Sequence, residues 1–214
     1  MSTEDLPVTP NDIDGIAAML ALAKPPGTPE LGEAYDDMIV SLRGFLAALS
    51  GAGMTTEQAR ELRAELDRTS EVLRGQRVDE AHRLWGHWVR KPGRSQALVP
   101  PLEDEAIEPG LLSATVRFGR FYVGENMAAH GGAISLLFDD LLGRVGMSAG
   151  KPGRTAYLTT SYRAVTPVET ELAIEGWVDR VEGRKHFLSG RIMHGDVVCA
   201  EAECLWIELR PGQP

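Results

Sequence analysis

His130-Gly131-Gly132 stands directly before an apolar run, and nine residues after the histidine that run is interrupted by Asp139 and Asp140. Glycines at a helix start leave amide N–H groups with no intrahelical acceptor. The helix dipole adds partial positive charge there, and a missing Cβ lets an oxygen approach closely. Together these features suit an oxyanion site, with Gly131 and Gly132 as its backbone donors. The bland reading is a glycine helix start required only for close packing. An aspartate inside Leu136-Leu137-Phe138-Asp139-Asp140 is costly to bury unless it is paired or used. Burial of Asp139 is expected to raise its proton affinity and sharpen it as a base. The alternative is a carboxylate on the helix's one wet stripe, held by a lysine or arginine. Asp140 is the internal control, because adjacent helix positions lie 100° apart and cannot face one site equally.

The elements that must hold these residues divide near residue 90. Before it the apolar spacing is helical. Ile13, Ile16, Ala17 and Leu20 suggest one helix, and Tyr35, Met38, Ile39, Leu42, Phe45, Leu46 and Leu49 mark a clearer second one. A third starts at Thr55 or Thr56 with a possible Thr55/Gln58 capping box, its stripe Ala59, Leu62, Leu66 and Leu73. Residues 79–89 read as a further short helix carrying Trp85 and Trp88. Residues 90–101 contain Pro92, Gly93, Pro100 and Pro101 and read as a linker. The division is a helical extension over 1–90, a linker over 91–110 and an α+β domain over 111–214. In that domain a strand over 112–123 precedes a helix over 133–147 that is apolar on more than one face, as a helix wrapped by other elements must be. Strands over 155–165, 169–181, 186–193 and 197–209 follow, the last three joined by tight turns at Gly183 and Gly195.

Net charge of -9 leaves no basic field for a phosphate backbone, so nucleic-acid binding is disfavoured. The acidic N-terminus lacks a signal-peptide core, and no run approaches the ~18 apolar residues of a membrane helix. A cytoplasmic location is expected. Cys199 and Cys204 are five apart, which on a regular strand puts them on opposite faces. Buried free thiols are expected, with no disulfide and no metal site.

His130-Gly131-Gly132 with Asp139 at this offset, then Thr155-Ala156-Tyr157-Leu158, Tyr162-Arg163, Pro167, the 179–185 hairpin and Ala200-Glu201-Ala202, resembles the hotdog-fold acyl-CoA thioesterases. The branch is that of the phenylacetate-pathway enzymes and the mammalian thioesterase superfamily members. The match covers roughly residues 110–210 and leaves the first 90 unexplained. The resemblance implies a hotdog fold, an antiparallel sheet wrapped around a central helix. It implies hydrolysis of a fatty or aryl acyl-CoA, Asp139 acting as base or nucleophile and Gly132 or its neighbour as oxyanion donor. It carries over Thr155 as a hydroxyl that positions water or carboxylate, with Thr159 and Ser161 as backups of the same strand parity. His130 is implied to order the loop more than to carry a proton, and Asn126 is a candidate from the preceding loop. Arg163, Arg184 and Lys185 are candidate partners for the CoA phosphates. No separate cofactor is implied, since coenzyme A belongs to the substrate. The family assembles as a homodimer or a dimer of dimers, each site combining the helix of one subunit with the loop of another. Other readings are an acyl-CoA hydratase, whose aspartate–histidine motif is not found here, an idle acyl-CoA binder or regulator, and a dimerising platform for a helical interaction module.

Overall fold

Gly183 and Gly195 set the register of the C-terminal half. The structure, a computed structural model, describes residues 26–88, 91–150, 152–210 and 212. Both glycines take left-handed backbone, φ 61° and 58°, which costs a residue without Cβ nothing. Each sits in a two-residue loop. The strands they join, β4 (Glu171–Glu182), β5 (Lys185–His194) and β6 (Val197–Glu208), therefore run as an antiparallel meander. β3 (Gly153–Tyr162) lies beside β6, and β2 (Leu111–Arg117) beside β4. An unforeseen strand, β1 (Leu102–Glu108), pairs with β2 and completes the order β1-β2-β4-β5-β6-β3. Among the described residues β3 is thus an edge, with one row of backbone groups unpaired.

The central helix, α3, spans Gly131–Ser148. Ile134, Leu137, Phe138, Leu141, Leu142 and Val145 are buried on it, against inward residues of the sheet such as Leu112, Ile174, Leu188, Ile192 and Ala200. Each such side chain contributes roughly 1.5–3 kcal/mol by leaving water. A six-stranded antiparallel sheet wrapped on one helix is the expected hotdog arrangement.

Bulges overturn two parity arguments. Thr155 pairs with Trp206 but Tyr157 with Leu205, so Ala156 is an extra residue. Beyond it Leu158, Thr160 and Tyr162 share the helix side with Thr155, while Thr159 and Ser161 turn to the outer face, in a groove with Trp177 and Ser189. Neither can stand in for Thr155. Ile192 pairs with Ala200 and Met193 with Val198, so Cys199 is likewise extra. The cysteines are therefore not on opposite faces: both are buried in the core, and both are free thiols.

In the extension, α1 (Pro29–Gly51) starts on a Thr28 cap and docks through side chains facing the 91–97 stretch. Asp36 accepts from Ser95 Oγ at 2.7 Å, Arg43 donates to the Gln96 carbonyl, and Gly32 lies under Trp88, where a Cβ would meet the ring at 1.8 Å. Hence the stretch read as a linker carries buried Ser95, Gln96, Ala97 and Val99 as well as β1. The helix expected over 79–89 is one 3-10 turn, Glu80–His82, because Gly86 (φ 79°) turns the chain away. The strand expected to reach residue 123 stops at Arg117, and Arg120–Tyr122 forms a second 3-10 turn. The helix proposed around Ile13 falls outside the described residues.

α2 (Thr56–Arg74) has the full Thr55/Gln58 capping box and no buried residue. With so little tertiary support its helicity depends on local terms. Thr55→Ala is expected to cost about 1 kcal/mol of local stability. Amide exchange should then speed up several-fold in α2 and stay unchanged in α3; equal protection in both proteins would contradict this.

Candidate functional site

His130 is the N-cap of α3, and its Nδ1 accepts from the Gly132 amide at 3.0 Å. That geometry requires the neutral tautomer protonated on Nε2. The ring is exposed and orders the turn. Ala133 and Ile134 donate to the His130 carbonyl, which leaves the Gly131 N–H without a protein acceptor among the described residues. The glycine pair therefore does not offer two equally bare donors, as its sequence suggested, because one is already engaged. On the other side of the turn, Tyr162 Oη donates to the Gly131 carbonyl at 2.9 Å. Ser135 Oγ donates to Thr160 Oγ1 at 3.0 Å and lies 3.0 Å from Tyr162 Oη.

Asp139 is exposed, contrary to the expected burial, and among the described residues it stands in no ion pair. It lies one turn beyond Ser135 and one before Gly143 on the helix face that runs beside β3 and β6. Its neighbour there is Cys204. Burial and the Asp139 carboxylate push that thiol up to about 11, against a hydrogen bond with Thr155 that lowers it. Cys204 is thus a protonated, inert wall of the site at neutral pH. Thr155 and Asp139 both act on the Cys204 thiol.

Asp140 points the other way. Its side chain, 9% exposed, pairs with Arg94 from the segment read as linker, next to an Arg144–Glu105 pair. Burial holds its carboxyl above the usual range, although Arg94 and Arg144 oppose this. The folded chain then binds more protons than the unfolded one between the ordinary carboxylate value, about 4, and the raised value. This group's contribution to stability consequently falls as pH rises through that window. Asp140→Asn removes the slope, so in urea unfolding the variant should gain on wild type with rising pH there. A constant difference across the series would refute the assignment.

A shallow cavity of ≈ 260 Å³ opens beside the glycine turn, lined by Leu98, Phe121, Tyr122, Val123, Ala133 and Leu136 as well as His130 and Gly132. Leu136 lies one turn before Asp140 and about 60° round the helix from Asp139, so the cavity and the Asp139 carboxylate occupy adjoining stripes of the same helix. Leu98 comes from the segment read as linker, which sequence had not connected with the site.

The remaining candidates do not converge in one chain. Asn126 (φ 53°) and Met127 (φ 58°) form an exposed turn closed by the Gly124 N–H to Ala128 carbonyl bond. Asn126 is explained by its tolerance of left-handed backbone. Arg163 is paired with Glu201 at 2.7 Å. Arg184 donates to the Glu208 carbonyl, and Lys185 is exposed beside it. That hairpin lies at the C-terminal end of α3, where Gly150 abuts His186 and Glu208, about 25 Å along the helix from its own glycine turn. Among the described residues no group of three or more His, Cys, Asp or Glu is placed to hold a metal, and no helix is long and apolar enough to cross a membrane.

No family model matches the chain. A stretch of 87 residues, 40% of the chain, is 33% identical to acyl-coenzyme A thioesterase THEM4 of Mus musculus, and the match spans 37% of that relative's length. Among solved structures the chain is similar to a thioesterase superfamily protein, with TM-score 0.70 and 29% identity over 87% of this chain and 98% of that one. A match of that extent necessarily includes helices of the extension.

Proposed function

Because the chain belongs to the hotdog thioesterase superfamily, we propose that it hydrolyses the thioester of a fatty or aryl acyl-CoA, with Asp139 as base or nucleophile. The observation that carries this reading is an exposed carboxylate, in no ion pair among the described residues, on the helix that begins at the glycine turn and its apolar cavity. The acyl group occupies the cavity, and the thioester oxygen takes its hydrogen bonds from the turn. Gly131 N–H is the ready donor. Gly132 N–H joins it once the oxygen displaces His130 Nδ1, a tightening common between apo and substrate-bound sites.

One chain cannot do this alone. Asp139 and Gly132 are seven residues apart on α3, about 10 Å along the axis, too far to act on one carbonyl. A two-fold pairing of β3 edges runs them antiparallel and sets the Asp139 face of one copy toward the glycine turn of the other. The same pairing carries Arg184 and Lys185 of one copy toward the other's turn, where CoA phosphates would lie. The active unit is therefore a homodimer or a dimer of dimers.

Incubation with acyl-CoAs of graded chain length, followed by detection of free thiol, tests the activity. Saturable binding without thiol release would instead support an idle acyl-CoA binder. That second reading has one observation in its favour, the Gly132 amide already held by His130.

A further inference from the structure

The peptide unit joining Gly131 to Gly132 is held at both ends by side chains. Its N–H meets His130 Nδ1 and its C=O accepts the Tyr162 hydroxyl at 2.9 Å. The ring edge of Tyr162 lies against Gly131, where a Cβ would be 3.1–3.4 Å from Oη, Cζ and Cε1, and Ser135 Oγ is 3.0 Å from the phenol oxygen. We propose that Tyr162 is a positioning residue for the oxyanion donor: by donating to the Gly131 carbonyl it fixes the plane of this peptide and makes the Gly132 N–H a stronger donor. The inference rests on the thioesterase reading.

The physical basis is polarisation of the amide. A hydrogen bond to the carbonyl oxygen shifts electron density from nitrogen toward oxygen, so the N–H at the other end of the same unit gains positive character. The effect acts on the bond that strengthens as the thioester oxygen becomes negative, so it favours the transition state over bound substrate. Ser135 Oγ, 3.0 Å from the phenol oxygen on the helix side, limits its movement by contact, since the phenol proton is on the Gly131 carbonyl and the serine proton on Thr160. Tyr162 does not touch the reacting atoms through this bond. No proton transfer is assigned to it.

Tyr162→Phe removes one oxygen and keeps the ring. Two measurements on the full chain separate the possibilities. The amide nitrogen of a residue responds to hydrogen bonding at the preceding carbonyl, so in protein labelled with 15N-glycine the Gly132 resonance should move in Tyr162→Phe while those of Gly143 and Gly146 stay. Steady-state hydrolysis of an acyl-CoA should show kcat reduced about five- to tenfold, the scale of one neutral hydrogen bond, with KM unchanged. Ser135→Ala, which leaves the phenol in place but loosens it, should give a smaller change of both kinds. Wild-type turnover with Tyr162→Phe equally fast overturns the inference and leaves the thioesterase reading intact. So does a drop in kcat with the Gly132 resonance unmoved, or one accompanied by a raised KM, the sign of a merely loosened site. Absence of turnover in the wild type sinks the thioesterase reading itself, whatever the Gly132 resonance does.

Discussion

Asp139→Asn is expected to lower thiol release from acyl-CoA by about 10²–10⁴-fold, the scale of losing a positioned base, without unfolding the chain. Asparagine has the shape of aspartate and removes only the charge. Asp139 is exposed and forms none of the described ion pairs, so no buried partner is stranded by the change. The same substitution at Asp140 should leave turnover near wild type and alter stability instead, because that carboxylate is engaged with Arg94. If Asp139→Asn hydrolyses acyl-CoA at the wild-type rate, the site assignment is wrong. The two-copy geometry adds a sharper test. Gly132→Val fills the approach to the turn but keeps Asp139. Each variant alone is expected to be inactive, and if the active unit is the proposed two-fold pair, refolding an equal mixture should restore roughly a quarter of wild-type activity per site, since copies combine at random and only mixed pairs carry one intact site. No recovery from a mixture shown to exchange subunits would mean that the carboxylate and the turn do not cooperate across copies.

Gly146→Val is expected to cost about 3 kcal/mol or more, although valine is a better helix former than glycine. Helix propensity favours the substitution by only about half a kcal/mol. Packing opposes it more strongly. A Cβ at 146 would lie 2.6–2.8 Å from Cγ, Cδ1 and Cδ2 of Trp206, whose ring is 6% exposed and has no room to withdraw. Overpacking of that kind forces strained rotamers or a shift of the helix. Gly143→Ala is the control: its Cβ would meet the nearest Trp206 atom at 3.4 Å, an ordinary contact, so propensity should leave it neutral or slightly stabilising. Urea midpoints of the two variants check the pair, and equal midpoints would refute the packing argument. Trp206 pairs in register with Thr155, so displacing the indole should also disturb the side of the site formed by Thr155, Cys204 and Asp139.

The residues that sequence singled out and the residues the fold brings together overlap only in part. Asp139 and Thr155 both influence the Cys204 thiol, and His130 caps the glycine turn. Arg163, Arg184 and Lys185 are scattered, and Asn126 is a turn residue. Tyr162 and Ser135 were not assigned a role, although each had a signal. Ser135 is on the helix stripe of Asp139, and Tyr162 is on the strand of Thr155. The Ala156 bulge hid the latter, because without it the two residues have opposite parity.

What the amino-acid order determined by itself was local. The capping box at Thr55, the glycine turns at 183 and 195, and the apolar helix that begins at a glycine pair all follow from interactions within a few residues, which short-range φ, ψ and periodicity specify. The tertiary structure alone decided the rest. β1 reads Leu-Glu-Asp-Glu-Ala-Ile-Glu, too acidic to signal a strand, and forms because β2 offers it an open edge. The bulges at Ala156 and Cys199 arise from pairing between strands and reverse faces that counting by twos had assigned. Arg94 reaches Asp140 across 46 positions in the chain, a closure that no local pattern encodes, and it engages Asp140 while neighbouring Asp139 stays exposed.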